Sequence, residues 1–222
     1  MTQHPRAGTA PFRAARWTAL TLTLALGVTG CTQGKTGNKL SGVSSAKICD
    51  STLDSAAQAA LKKATRIDRF EELPGDEFTL DAMPQGLHHG IQERTVCRVY
   101  TTDEGDDIAL FTIDFEPRTH YPRETQESSK GERILYPVGK YAAADGDSSV
   151  QIFFPCPTTG EKGRTPFVRS SMSTPRPLAG ESTADERMTV LNSISRRVAE
   201  RLGCAAASGL PQQLPAPPPA GT

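Results

Sequence analysis

The sequence predicts an α+β fold, an antiparallel sheet of about five strands with N- and C-terminal helices packed on it and stapled by disulfides. Three observations carry this. Helical periodicity is confined to two stretches that bracket the domain, alternating apolar residues fill the middle, and Cys49, Cys97, Cys156 and Cys204 are spread through residues 48–204. With no helix between successive strands, a parallel sheet built from β-α-β units is disfavoured.

The first helix is expected over residues 51–64, where Leu53, Ala57, Ala60, Leu61 and Ala64 recur at helical spacing. Ser51, with Asp54 three residues on, reads as its N-terminal cap. Strands follow at residues 95–101 and 108–115, joined by the turn-forming run Asp103-Glu104-Gly105-Asp106. In the second of these, Ala109, Phe111, Ile113 and Phe115 share one face. Residues 141–144 and 149–154 flank Asp145-Gly146, a strong hairpin signal. A last strand is expected at residues 166–172. Thr183 and Glu186 then form a capping box for a helix whose stripe is Met188, Leu191, Ile194, Val198 and Leu202, with Gly203 as its stop. Arg196, Arg197 and Arg201 fall on its polar side, near its negative end.

Composition narrows the function classes. The chain carries 25 basic and 25 acidic residues, which gives no basic footprint for nucleic acid. A mean hydropathy of −0.41 with a single long apolar stretch excludes a multi-span membrane protein. That stretch, residues 17–28, is about a dozen residues long and follows Arg6, Arg13 and Arg16 with no acidic residue before it. It is too short for a span of roughly 20 residues and suits the apolar core of an export signal.

Val28-Thr29-Gly30-Cys31 closes the run and resembles the bacterial lipoprotein lipobox: an aliphatic residue, a small residue, Gly or Ala, then Cys. The resemblance implies diacylglyceryl transfer to the Cys31 thiol, cleavage between Gly30 and Cys31, and a protein held to the cell membrane on its extracytoplasmic face. Two acyl chains suffice for stable anchoring where one is marginal. Residues 1–30 then form the signal peptide. Their three arginines leave with them, so the mature chain carries 22 basic against 25 acidic residues. Residues 31–47 read as a flexible Gly/Ser/Thr/Lys-rich tether, residues 48–204 as one domain, and residues 205–222 as a disordered Pro/Ala-rich tail.

Once Cys31 is consumed by lipid, four cysteines remain in an oxidising compartment, and none lies in a CxxC pair. Three pairings are possible. If the terminal helices pack antiparallel, Cys49 and Cys204 meet, leaving Cys97 to bridge to Cys156; that is the pairing favoured here.

Catalytic motifs are sparse. No GxSxG elbow, HExxH or glycine-rich phosphate loop occurs. His88 and His89 fall in the loop-like residues 83–90, and His120 in a polar stretch; solvated loop histidines are preferred to a metal site. The acidic clusters at residues 103–107 and at Asp145 and Asp147 lack the full calcium-loop spacing and fit turns. Glu71-Glu72 and Glu124 with Glu127 are carboxylate pairs without further pattern. No catalytic residue, metal or cofactor is assigned.

The opening Ile48-Cys49-Asp50-Ser51-Thr52-Leu53-Asp54, the central Val96-Cys97-Arg98-Val99-Tyr100 and the closing Leu202-Gly203-Cys204 resemble small actinobacterial lipoproteins of unassigned function. The resemblance implies an exported, anchored domain and transfers no activity. The expected function is non-catalytic binding of an envelope ligand or protein, with a hydrolase assembled from distant residues as the alternative. Metabolic labelling with a lipid precursor is expected to mark the wild type and spare Cys31→Ala; undiminished label on the variant would refute the anchor.

Overall fold

The computed structural model describes residues 42–72, 78–89, 95–102, 108–123, 133–160, 163–178 and 182–219. They lie in one compact unit, residues 38–222. The export signal, Gly30, Cys31, most of the tether, the acidic run at residues 103–107 and the pair Glu124 and Glu127 lie outside the described residues. No helix among the described residues is long and apolar enough to cross a membrane.

The strands are β1 (Phe70–Glu71), β2 (Val96–Thr101), β3 (Phe111–Arg118), β4 (Arg133–Leu135), β5 (Tyr141–Asp145), β6 (Ser149–Gly160) and β7 (Gly163–Ser173). They form one antiparallel sheet in the order β1-β2-β3-β7-β6-β5-β4. The helical segments are α1 (Ile48–Ser51), α2 (Ser55–Thr65), α3 (Met83–His89), α4 (Ala184–Arg201) and α5 (Ala205–Ser208). The α+β class and antiparallel sheet are as expected, but the described residues form seven strands. The two unanticipated strands, β1 and β4, have two and three residues. That is too short for alternation to register in a sequence.

Alternation sorts the longer strands into two faces. Cys97, Val99, Phe111, Ile113, Phe115, Val150, Ile152, Phe154, Val168 and Met172 are buried on one face, where Leu61 of α2 and Met188, Leu191, Ile194 and Val198 of α4 join the same core. Buried Ser170 of β7 meets Ser195 of α4 at 2.7 Å, and Ser195 Oγ donates to the Leu191 carbonyl at 2.6 Å. Both hydroxyls are thereby satisfied inside the core. Arg98, Thr112, Asp114, Glu116, Arg169 and Ser171 take the opposite face.

The α4 capping box forms as expected: Glu186 N–H donates to Thr183 Oγ1, and Thr183 N–H donates to Glu186 Oε2. Gly203, at φ 77°, turns the chain after it. The start of α2 differs from expectation. Its cap is Asp54, whose carboxylate accepts from Ala57 N–H at 2.9 Å. Ser51 instead belongs to a turn in which Cys49, Asp50 and Ser51 all hold positive φ (48°, 57° and 57°). Left-handed backbone costs an L-residue roughly 1–2 kcal/mol. The turn is held by Cys49 N–H donating to Glu72 Oε1 (3.1 Å), Leu80 N–H donating to Asp50 Oδ2 (2.8 Å) and Thr52 Oγ1 donating to the Cys49 carbonyl (2.7 Å).

That turn also explains why the favoured disulfide pairing fails. The bonds are Cys49–Cys97 and Cys156–Cys204. The premise was sound: Arg196 pairs with Asp54 at 3.1 Å and Lys63 with Glu186 at 2.5 Å, so α2 and α4 do run antiparallel. The left-handed turn, however, carries Cys49 onto β2, and the turn at Gly203 delivers Cys204 to β6.

Three further expectations are corrected. Residues 83–89, read as loop, form α3. Thr79 Oγ1 accepts from Ala82 N–H, Pro84 sits in the first turn where its missing N–H costs nothing, and Met83, Gly86 and Leu87 are buried. The tail expected to be disordered from residue 205 begins with α5 and then lies on the domain. Gly139 N–H donates to the Gly209 carbonyl at 2.9 Å, Asn192 Nδ2 donates to the Pro211 carbonyl at 2.8 Å, and Leu210 and Leu214 pack on the core. Two leucines spaced along an extended chain were enough, although overall composition hid them. The domain also starts before residue 48. Val43 exchanges backbone hydrogen bonds with Phe70 (2.7 and 2.9 Å), and a Cβ on Gly42 would fall 2.7 Å from the Phe70 carbonyl oxygen.

Each disulfide closes a separation of 48 residues. Replacing Cys156 and Cys204 by Ser is expected to lower unfolding free energy by about 3–4 kcal/mol in a denaturant titration. Peptide mapping without reductant should recover Cys49–Cys97; recovery of Cys49–Cys204 would refute the connectivity.

Candidate functional site

The candidate site is a cleft of about 750 Å³ bounded by α3, β2, β3 and the tip-proximal part of β7. It lies at the start of β2: Phe115 N–H donates to the Thr95 carbonyl at 3.0 Å, and β3 continues past that point to Arg118, paired there with β7. The volume is in the range of small-molecule sites, roughly 300–1,000 Å³.

Strand register assembles the charged lining. Arg169 stands opposite Glu116 across β3 and β7, and Ser171 stands opposite Asp114. Arg169 Nη2 reaches Asp114 Oδ1 at 3.1 Å and Glu116 Oε2 at 3.3 Å. Ser171 Oγ donates to the other Asp114 oxygen, and Arg118 Nη2 donates to Glu116 Oε2. Arg98 comes from β2 and Arg164 from the start of β7. Leu87, Val96, Phe115 and Pro117 give the walls an apolar component.

His88 lines the cleft from the last turn of α3. Its ring is seated against Gly160 of β6: a Cβ there would fall 2.4 Å from ring atoms, so the glycine leaves the space the imidazole fills. Desolvation, with a smaller contribution from the neighbouring His89, lowers the His88 pKa from its ordinary 6.5 and favours the neutral ring. Buried Nε2 has no hydrogen-bond partner, nor have Arg118 Nε and Arg169 Nε.

The other sequence candidates are placed elsewhere. His89 and His120 are exposed, the latter with Nδ1 at 2.8 Å from Thr119 Oγ1. Asp145 is engaged by Arg133 Nε at 2.5 Å across β4 and β5. Arg197 pairs with Glu200 at 2.6 Å and Arg201 with Asp81 at 3.2 Å. Glu72 serves the Cys49 turn. Among the described residues, one trio brings metal-type donor atoms together, Cys49, Glu72 and Cys97 within 4.8 Å, and both sulfurs are committed to the disulfide.

Sequence reading missed the arginine and carboxylate lining. Its one signal was that Asp114, Glu116 and Arg118 occupy the face opposite the apolar Ile113 and Phe115; pairing with Arg169, 55 residues from Asp114, leaves no local trace.

Comparison with known proteins gives no match among protein-family models, curated proteins or solved structures.

The seat of His88 yields a test. Because its folded pKa lies below 6.5, the unfolded chain takes up the proton first as pH falls. The stability contributed by the buried neutral ring is present above about pH 6.5 and is lost as pH falls through the folded pKa. Gly160→Ala is expected to push the ring toward water and return its NMR titration toward 6.5. An unmoved titration would show that the glycine does not seat it.

Proposed function

We propose that this chain is an exported lipoprotein, anchored through Cys31 to the extracytoplasmic face of the cell membrane, whose domain binds a ligand or partner protein without catalysis. The observation that carries the binding reading is the cleft itself: its size suits a small ligand or a short segment of a larger one, and its lining mixes charge with apolar wall. Two disulfides support the exported setting, since such bonds persist where the surroundings are oxidising. The lipobox resemblance at residues 28–31 supports the anchor.

The hydrolase reading is favoured by one observation, the seated His88 with its unpartnered Nε2. A general base needs a group to orient its ring and a reacting group within reach. Among the described residues no carboxylate hydrogen-bonds to His88, and the two acidic residues of the cleft are engaged by Arg169 and Arg118. Binding is therefore preferred.

Anything that binds the native state alone raises its apparent stability. Envelope extract is expected to raise the melting temperature of the wild type and to leave Thr112→Trp, which fills the cleft, unchanged. An equal rise in both, or none in either, would remove the cleft as the binding site. External protease applied to intact cells should degrade the protein while sparing a cytoplasmic control; survival would overturn export.

A further inference from the structure

We propose that the cleft takes an organic anion, a carboxylate or phosphate group carried on a body with apolar surface. This rests on the binding reading above and names the chemistry of the ligand.

The charge count points this way. Among the described residues, Arg98, Arg118, Arg164 and Arg169 line the cleft together with Asp114 and Glu116, so guanidiniums outnumber carboxylates in that lining. The carboxylates are shared rather than spare: Asp114 pairs with Arg169, and Glu116 serves both Arg169 and Arg118. Arg164 is exposed and lines the cleft. A site built for a cation would present the opposite balance, with carboxylate oxygens unopposed.

The hydrogen-bonding groups agree. Arg118 Nε and Arg169 Nε are buried N–H donors without acceptors, and both belong to cleft-lining residues. Buried donors are costly to leave unpaired, so a ligand oxygen that reaches them is favoured. A planar guanidinium offers two parallel N–H groups that match the two oxygens of a carboxylate or phosphate. Glu116 is 44% exposed at its side chain and can swing outward, yielding the Arg118 fork to an incoming anion. Neutral His88 adds one donor and one acceptor rather than a further positive charge.

The ligand is more than a bare ion. A cleft of about 750 Å³ is far larger than a phosphate needs, and Leu87, Val96, Phe115 and Pro117 offer apolar contact for an attached body.

Titration calorimetry on the full-length protein tests this with phenyl phosphate, benzoate, inorganic phosphate and phenol. Phenyl phosphate or benzoate is expected to bind; the tighter of the two identifies the anion, inorganic phosphate should bind more weakly, and phenol should give no heat. Arg164→Gln, at an exposed position where folding is not at stake, and Arg98→Gln should each weaken the anion about tenfold, as loss of a charge-assisted contact would. Arg197→Gln on α4, outside the cleft, should leave binding unchanged. Phenol binding as tightly as phenyl phosphate, or unaltered affinity in both cleft variants, would overturn the anion assignment. If no probe binds while envelope extract still stabilises the wild type and not Thr112→Trp, the anion assignment falls and the binding reading stands. If phenyl phosphate binds as described while the extract stabilises neither protein, the anion chemistry of the cleft stands and the envelope-ligand reading falls.

Discussion

The pairing of β7 with β3 on one side and β6 on the other is the contact on which the remainder of this domain depends. It joins two halves of the sheet that are distant in sequence, with Ile113 opposite Met172 and Val150 opposite the same Met172. Because side chains alternate across a strand, this one register does two jobs at once. It sends Val168, Ser170 and Met172 toward α4, and it sets Arg169 and Ser171 beside Glu116 and Asp114 on the opposite face. A slip of one residue would turn Arg169 into the apolar core and expose Met172 to water, so the hydrophobic side of the sheet enforces the geometry of the charged side.

The helical layer is pinned by short polar contacts as well as by apolar contact. Ser193 Oγ accepts from Asp54 N–H at 2.9 Å and donates to the Thr52 carbonyl at 3.1 Å, tying the start of α2 to the middle of α4. Buried Arg187 donates to the Gly146 carbonyl at 2.8 Å and to the Ser182 carbonyl at 2.9 Å, fastening the β5–β6 turn to the start of α4. Burial lowers its pKa, with Asp147, Tyr136 and Glu186 acting in the other direction. These links fix α2 and α4 over one face and leave the other to the charged lining of the cleft.

Much of this fold was legible where the signal is local and periodic. The stripe of α4 with its Thr183 and Glu186 box, the Asp145-Gly146 hairpin and the alternation of Phe111, Ile113 and Phe115 all appear as read. What escaped was decided by single backbone angles or by distant partners. Nothing in Cys49-Asp50-Ser51 announces three successive positive φ values, since glycine is the usual occupant of such backbone. Those angles carried Cys49 away from Cys204 and onto β2. The docking of residues 209–219 depended on Leu210 and Leu214 finding a surface supplied by α4 and the loop at Gly139. The candidate site was the least legible part, because its members come from β2, β3, β7 and α3, and only folding makes them neighbours.

The two disulfides span separate, non-overlapping stretches of the chain, residues 49–97 and 156–204. Under tension applied to the two ends of the domain, each bond acts as a short circuit, and the residues it encloses carry no load. Force passes instead through residues 98–155, which hold β3, β4 and β5 entire. The strand that forms the floor of the cleft is therefore in the part of the chain that can extend, and its mechanical resistance comes from being zipped between β2 and β7 rather than from any covalent clamp.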